Sequence, residues 1–148
     1  MKFLSAAILL LTVFGFTASA QRVVTPSVDP VLEADAKHNL DVARQAFAPL
    51  KKAYKQVIFR FEETWAAYPD FTGIDEFLYM AGMSSYYLSE NKGKQKVDLK
   101  SEKEREKFAP AKLRADARLY LSTIVDKYPD SKYREDAEKT LKLLKAAK

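Results

Sequence analysis

The side chains that could carry chemistry are few, and their spacing does not assemble them. His38 is the only histidine among 148 residues. It sits between Lys37 and Asn39 on a polar helix face, without a serine and carboxylate nearby to make a nucleophile relay. Glu62 and Glu63 are adjacent, so on a helix they point in different directions and suit solvation better than paired acid and base work. The four glycines fall in no phosphate-cradling pattern, which excludes a P-loop or a dinucleotide fingerprint. The reading is of a protein that is not an enzyme, with no catalytic residue, no cofactor and no metal site. What the chain does concentrate is contact chemistry. Tyr79, Met83, Tyr86 and Tyr87, beside Met80, supply aromatic and thioether surface. One reading of them is packing between helical hairpins; the other is a protein-binding groove that holds an extended or helical peptide.

The ends and the composition bound the rest. MKFLSAAILLLTVFGFTASA, residues 1–20, carries a charge at Lys2, an apolar run from Phe3 to Phe16, and Ala18 and Ala20 before Gln21. This is the layout of a secretory signal peptide cleaved after Ala20, in preference to a retained anchor. The run is shorter than the roughly 20 residues that a spanning helix needs, so no transmembrane helix is expected in the mature chain. A lipoprotein signal would need a cysteine at the cleavage point, and the sequence has none. The chain from Gln21 is therefore expected to be exported and periplasmic, folded by packing without disulfides. Removing Lys2 from the formal net charge of +5 leaves +4. That excess is interspersed, unlike the basic stripe of a nucleic-acid binder, but it leaves open contact with acidic lipid headgroups at the outer membrane or with an acidic partner.

Helical periodicity supplies the elements that would position these side chains. QRVVTPSVDP, residues 21–30, reads as an extended tether, with Asp29 a helix cap and Pro30 suited to a first turn. Apolar residues then recur in steps of three and four from Leu32 to Tyr68, with Trp65 in the stripe and expected in the core. The phase holds across Pro49, which favours one long helix, kinked there, over two helices with a break. A second helix runs from about Gly73 to Ser89. The stretch 90–109 is a charged surface loop with room for helix near its end and a partly mobile centre at Lys92 to Lys96. Pro110 opens a third helix, and a last one covers about Lys132 to Ala146. The expected domain is residues 31–148, with hairpins over about 31–89 and 110–147.

Tyr68-Pro69-Asp70 and Tyr128-Pro129-Asp130 stop helices in the same way, because the residue before a proline is driven out of the helical region. Treating Phe71 as a one-residue insertion pairs Thr72 with Ser131 as caps and Ile74 with Tyr133. Each unit becomes a helix, a turn and a capped helix. Tyr68, Pro69, Thr72, Tyr128, Pro129 and Ser131 are the structural residues of the repeat. Such hairpins bury only part of their surface and stack. The segment YLSTIVDKYPDSKYREDAEKTL, residues 120–141, resembles the tetratricopeptide-like repeats of the BamD-like outer-membrane assembly lipoproteins of Gram-negative bacteria. The match lies at Tyr128, Pro129, Ser131, Tyr133 and Ala137, and again at Tyr68 and Pro69.

The resemblance implies an all-α fold of tetratricopeptide-like stacked αα-hairpins, a short right-handed solenoid with about four main helices. It also implies a non-catalytic periplasmic scaffold that binds protein or peptide partners in cell-envelope assembly. A periplasmic chaperone or carrier that transiently holds exported polypeptides is the alternative.

Overall fold

The computed structural model describes residues 29–98 and 100–146. They form α1 (Pro30–Phe47), α2 (Tyr54–Ala67), α3 (Ile74–Ser89), the short α4 (Glu102–Lys107), α5 (Pro110–Lys127) and α6 (Arg134–Ala146). The expected signal peptide and nearly all of the tether lie outside the described residues. The start of α1 follows the sequence: Asp29 Oδ1 accepts from the backbone N–H groups of Val31 at 2.9 Å and Leu32 at 3.3 Å, and Pro30 fills the first turn.

The long kinked helix is instead two helices. The chain leaves α1 at Ala48, with ψ near 144°, because Pro49 has no N–H to continue the ladder and its ring opposes the preceding turn. It then folds back, with Ala53 N–H donating to Ala46 C=O at 2.8 Å. Asn39 donates to Thr64 Oγ1 at 3.3 Å, so α1 and α2 run antiparallel. The stripe keeps its phase because each helix turns its apolar face inward: Ala36, Leu40, Ala43 and Ala46 from α1, Val57 and Phe61 from α2. Periodicity records which face is buried and is blind to a reversal of direction. Six helices thus replace the four expected.

The two Tyr-Pro-Asp turns superpose without a gap, which corrects the insertion at Phe71. Tyr68 N–H and Tyr128 N–H bond to Thr64 C=O at 2.7 Å and Ile124 C=O at 2.9 Å; Ile74 N–H and Arg134 N–H bond to Phe71 C=O and Ser131 C=O, both at 3.1 Å. Phe71 therefore stands where Ser131 stands, and Thr72 is no cap. The N-cap of α3 is Gly73, without a side-chain bond, and the Thr72 hydroxyl donates to Glu33 instead. Ser131 Oγ does bind its own turn, accepting from Tyr133 N–H at 3.3 Å. In this register Phe77, Met80 and Ser84 correspond to Ala137, Thr140 and Leu144, all buried.

Helix α3 lies at the centre, in contact with α1, α2 and α5. Phe77, Leu78, Met80, Ala81, Gly82, Met83, Ser84, Ser85 and Leu88 are all buried. A Cβ on Gly82 would stand 2.7 Å from Leu121 Cγ, so only glycine admits α5 at this separation. Antiparallel α5 packs Leu113, Ala117, Leu121 and Ile124 inward, and α6 closes that end with Ala137, Thr140 and Leu144. Between α2 and α5 the rings of Phe61 and Tyr120 meet at 4.7 Å. Burial, with Asp116 and Glu62 nearby, pushes the Tyr120 hydroxyl up to about 12. Trp65 is not core: it is 37% exposed and stacks on Phe61, while Thr64 takes the inward place at 3%.

The charged segment carries a helix near its end, α4, and is bonded to the rest of the fold at several points. Phe108, only 2% exposed, joins Tyr54, Ile58, Leu88 and Leu113 in a second cluster. Ser101 and Glu104 start α4, Ser101 Oγ accepting from Glu104 N–H at 3.4 Å. Lys55 pairs with Glu104 at 2.8 Å, and Lys107 pairs with Glu62. The expected mobile centre is tied to α2 as well, Lys55 Nζ reaching Lys96 C=O at 3.1 Å.

Two measurements test this packing. Gly82→Ala should destabilise the fold by about 1–3 kcal/mol through overlap with Leu121, despite a helix-propensity gain of about 1 kcal/mol; a urea midpoint equal to or above wild type would refute the close approach. Across α1 and α3, Arg44 forks onto Glu76 at 2.6 and 2.7 Å. The guanidinium holds that carboxyl below its ordinary value of 4.5. A lowered folded value gives stability that is complete above 4.5 and lost as pH falls through the folded value. Glu76→Gln should therefore flatten the acid limb of a stability–pH curve, and an unchanged limb would sink this assignment.

Candidate peptide-binding cleft

A concave surface with aromatic walls lies where the ends of three helices meet. Phe47 closes α1, Tyr54 opens α2 and Tyr87 sits in the last turn of α3. With Pro49, Lys52 and Lys92 they line a cleft of about 480 Å³. The rings stand against one another, Phe47 to Tyr54 at 5.8 Å, Phe47 to Tyr87 at 6.4 Å and Tyr54 to Tyr87 at 5.2 Å. Tyr54 is the floor, 6% exposed, and burial, then the neighbouring Tyr87, raises its hydroxyl above the usual range.

Local rules set the walls. At the end of α3, Asn91 N–H bonds to Leu88 C=O and Lys92 N–H to Tyr87 C=O, each at 2.9 Å, which is a Schellman closure. Asn91 takes the left-handed φ of 56° that this closure needs, and asparagine tolerates it. The turn then lies against the α1–α2 connection, where Lys94 N–H donates to Lys52 C=O at 3.1 Å. Lys52 also has a left-handed φ, 47°, and lysine pays for that conformation in strain. Lys92 Nζ lies 5.5 Å from the centre of the Tyr86 ring.

The walls are aromatic and the rim is lysine, a lining suited to contact. They accept apolar or aromatic side chains and attract a carboxylate beside them. Among the described residues no group of three or more His, Cys, Asp or Glu is placed to hold a metal, and His38 is exposed on α1.

The four contact residues picked out by the sequence divide. Tyr87 lines the cleft, and Tyr86 adjoins it with its ring 5.7 Å from that of Tyr87. Tyr79 stacks on Tyr133 at 4.7 Å. Met83 is 7% exposed and its sulfur accepts from Thr140 Oγ1 at 3.4 Å, so these two join α3 to α6. Phe47, Tyr54, Lys52 and Lys92 were not legible as partners of Tyr87. The only local signal for them is a pair of turns, Pro-Leu-Lys-Lys and Asn-Lys-Gly, that gives no hint of touching. The second Tyr-Pro-Asp turn also reaches the first turn of α3, with Ser131 Oγ donating to Asp75 Oδ2 at 2.7 Å, and the two Tyr-Pro-Asp turns line a common cleft. That cleft, of about 570 Å³, is lined by Asp70, Asp75, Asp130, Phe71 and Tyr128, among others.

The family described as YfiO, outer membrane lipoprotein, matches residues 30–147. The chain belongs to the YfiO family. The matched span takes in every helix from α1 to α6, so the cleft and both Tyr-Pro-Asp turns fall inside the YfiO match. No curated protein and no solved structure gives a match. YfiO membership bears on the outer membrane, and no helix of the described residues is long and apolar enough to cross one.

The strain at Lys52 gives a direct test. Lys52→Gly should raise stability by about 1 kcal/mol by removing the left-handed Cβ clash, whereas Lys52→Val should lower it by a similar amount. Reversed signs in chemical denaturation would show that this backbone conformation is not the one in solution.

Proposed function

We propose that the protein is a non-catalytic periplasmic scaffold that binds protein or peptide partners in outer-membrane protein assembly. Membership of the YfiO family across all six helices carries this reading. The aromatic cleft supports it as the place of contact, with Tyr87 and Tyr86 touching the partner and Tyr79 and Met83 acting through packing. On this reading residues 1–20 direct export and are removed after Ala20, and residues 31–148 work as one helical-repeat domain.

The order of helix contacts supports a tetratricopeptide-like stack, which on this reading is right-handed. Consecutive helices pair through the chain, α1 with α2, α2 with α3, α3 with α5 and α5 with α6. The α2–α3 and α5–α6 hairpins share one turn geometry. In such a stack α1 takes the place of the second helix of a hairpin, and the 90–109 segment is an insertion between the α2–α3 and α5–α6 hairpins.

A photo-crosslinking amino acid at position 87, installed in intact cells, tests the reading. It should capture a stoichiometric envelope partner, while the same group at His38 should not. Capture of many substoichiometric clients would favour the carrier reading. Equal capture at both positions, or none, would remove the cleft as the contact.

A further inference from the structure

The tip of the α1–α2 turn has a composition that the cleft does not require. Leu50 is 85% exposed, more than any other large apolar residue described, and it is not part of the lining of the neighbouring cleft. Lysines surround it. Lys51 and Lys52 belong to the same turn, and Lys92, Lys94 and Lys96 come from a segment some forty residues later. Hydrogen bonds bring the two together: Lys94 N–H donates to Lys52 C=O at 3.1 Å and Lys94 Nζ to Leu50 C=O at 2.6 Å. All five lysines are exposed. Glu90 and Glu104 are engaged elsewhere, with Arg114 and Lys55, and none of the five lysines makes an ion pair among the described residues.

We infer that this end of the molecule docks on an anionic lipid surface, with Leu50 entering the headgroup boundary and the five ammonium groups lying over lipid phosphates. An apolar tip inside a basic ring matches the two components of interfacial binding, buried apolar area and attraction to anionic headgroups. Two features favour lipid over an acidic protein. A single apolar side chain standing this far out of the fold is covered by a layer that closes around it, as the headgroup boundary does, without a preformed pocket. The charges are all lysine, compact point charges without fork geometry, where a directional carboxylate partner would favour arginine. The inference goes beyond the scaffold reading and does not depend on what occupies the cleft. Because Lys52 and Lys92 belong to both surfaces, docking would bring the mouth of the cleft to the headgroup layer.

Co-sedimentation of the full chain with phosphatidylglycerol-containing vesicles, against pure phosphatidylcholine vesicles, tests it. Residues 3–16 are apolar and would not discriminate lipid charge, so the readout is the difference between the two lipids and between variants. Binding should favour the anionic vesicles and weaken with salt. The double variant Lys51→Gln, Lys96→Gln lies outside the cleft lining and should lose about 25-fold, at roughly fivefold per lysine. Leu50→Ser should also weaken binding. In a Leu50→Trp variant, fluorescence should shift to the blue on anionic vesicles alone. Equal binding to both lipids, or a double variant that binds like wild type, overturns the inference. So does preference for an oligoglutamate peptide with no preference for anionic vesicles, which would point to an acidic protein instead. Tyr87→Ala should retain vesicle binding while losing partner capture by a photo-crosslinking group placed at position 86, beside the cleft, which separates failure here from failure of the cleft.

Discussion

Everything else in the arrangement depends on how closely α3 and α5 approach. At Gly82 there is no room for a Cβ beside Leu121, and the positions flanking it are Ala81, Met83, Ser84 and Ser85. A helix buried on every side must be narrow where its neighbours are nearest, so small residues collect there. Size outweighs polarity: the hydroxyls of Ser84 and Ser85 are fully buried and make no hydrogen bond, a cost on the order of 1–3 kcal/mol each. With α3 held in this way, its last turn fixes Tyr87 against Tyr54 and Phe47. The cleft is thus a consequence of core packing one and a half turns away.

The repeat was legible in the sequence, but its register was not. Proline and the residue before it end a helix by local sterics, so the stops at Tyr68 and Tyr128 could be read without tertiary information. The equivalence beyond the stop depends on neighbours. Phe71 is buried at 3% because Gly73 leaves room where Leu40 of α1 and the Phe71 ring converge. Ser131, at the same place in the second turn, meets the polar Asp75 of α3. A core aromatic and a polar turn residue occupy one structural position, and that disguised the match. Arg134 opposite Ile74 misleads for the same reason, since α6 has fewer neighbours to cover its first turn.

The contact residues were legible as a class, and their grouping was not. Period and composition mark Tyr79, Met83, Tyr86 and Tyr87 as one aromatic ridge, yet side chains on successive turns of a central helix serve different neighbours. Tyr79 and Met83 are covered by α6, and Tyr87 by the ends of α1 and α2. The other walls of the cleft come from positions whose meeting requires the chain to reverse at Pro49, and that reversal leaves no mark in the hydrophobic phase. Trp65 shows the limit at finer scale. A stripe with steps of three and four admits either Thr64 or Trp65 inward after Phe61, and the smaller residue fits against Asn39 of α1.

Pro49 joins these threads. Helix propensity alone would carry α1 onward through Leu50, Lys51 and Lys52, since leucine and lysine are good helix formers. Proline forbids it at a cost of about 3 kcal/mol or more, and the chain escapes through a left-handed Lys52. That strain persists because both flanks over-determine it. Ala53 is bonded back to Ala46, and the 91–96 turn is bonded to Lys52 and Leu50. The same enforced turn removes Leu50 from the buried stripe, carries it to the surface and sets Phe47 opposite Tyr54. This backbone constraint therefore produces the exposed apolar tip with its lysines and the two cleft walls that face Tyr87 of the packed α3, which is why the two surfaces share Lys52.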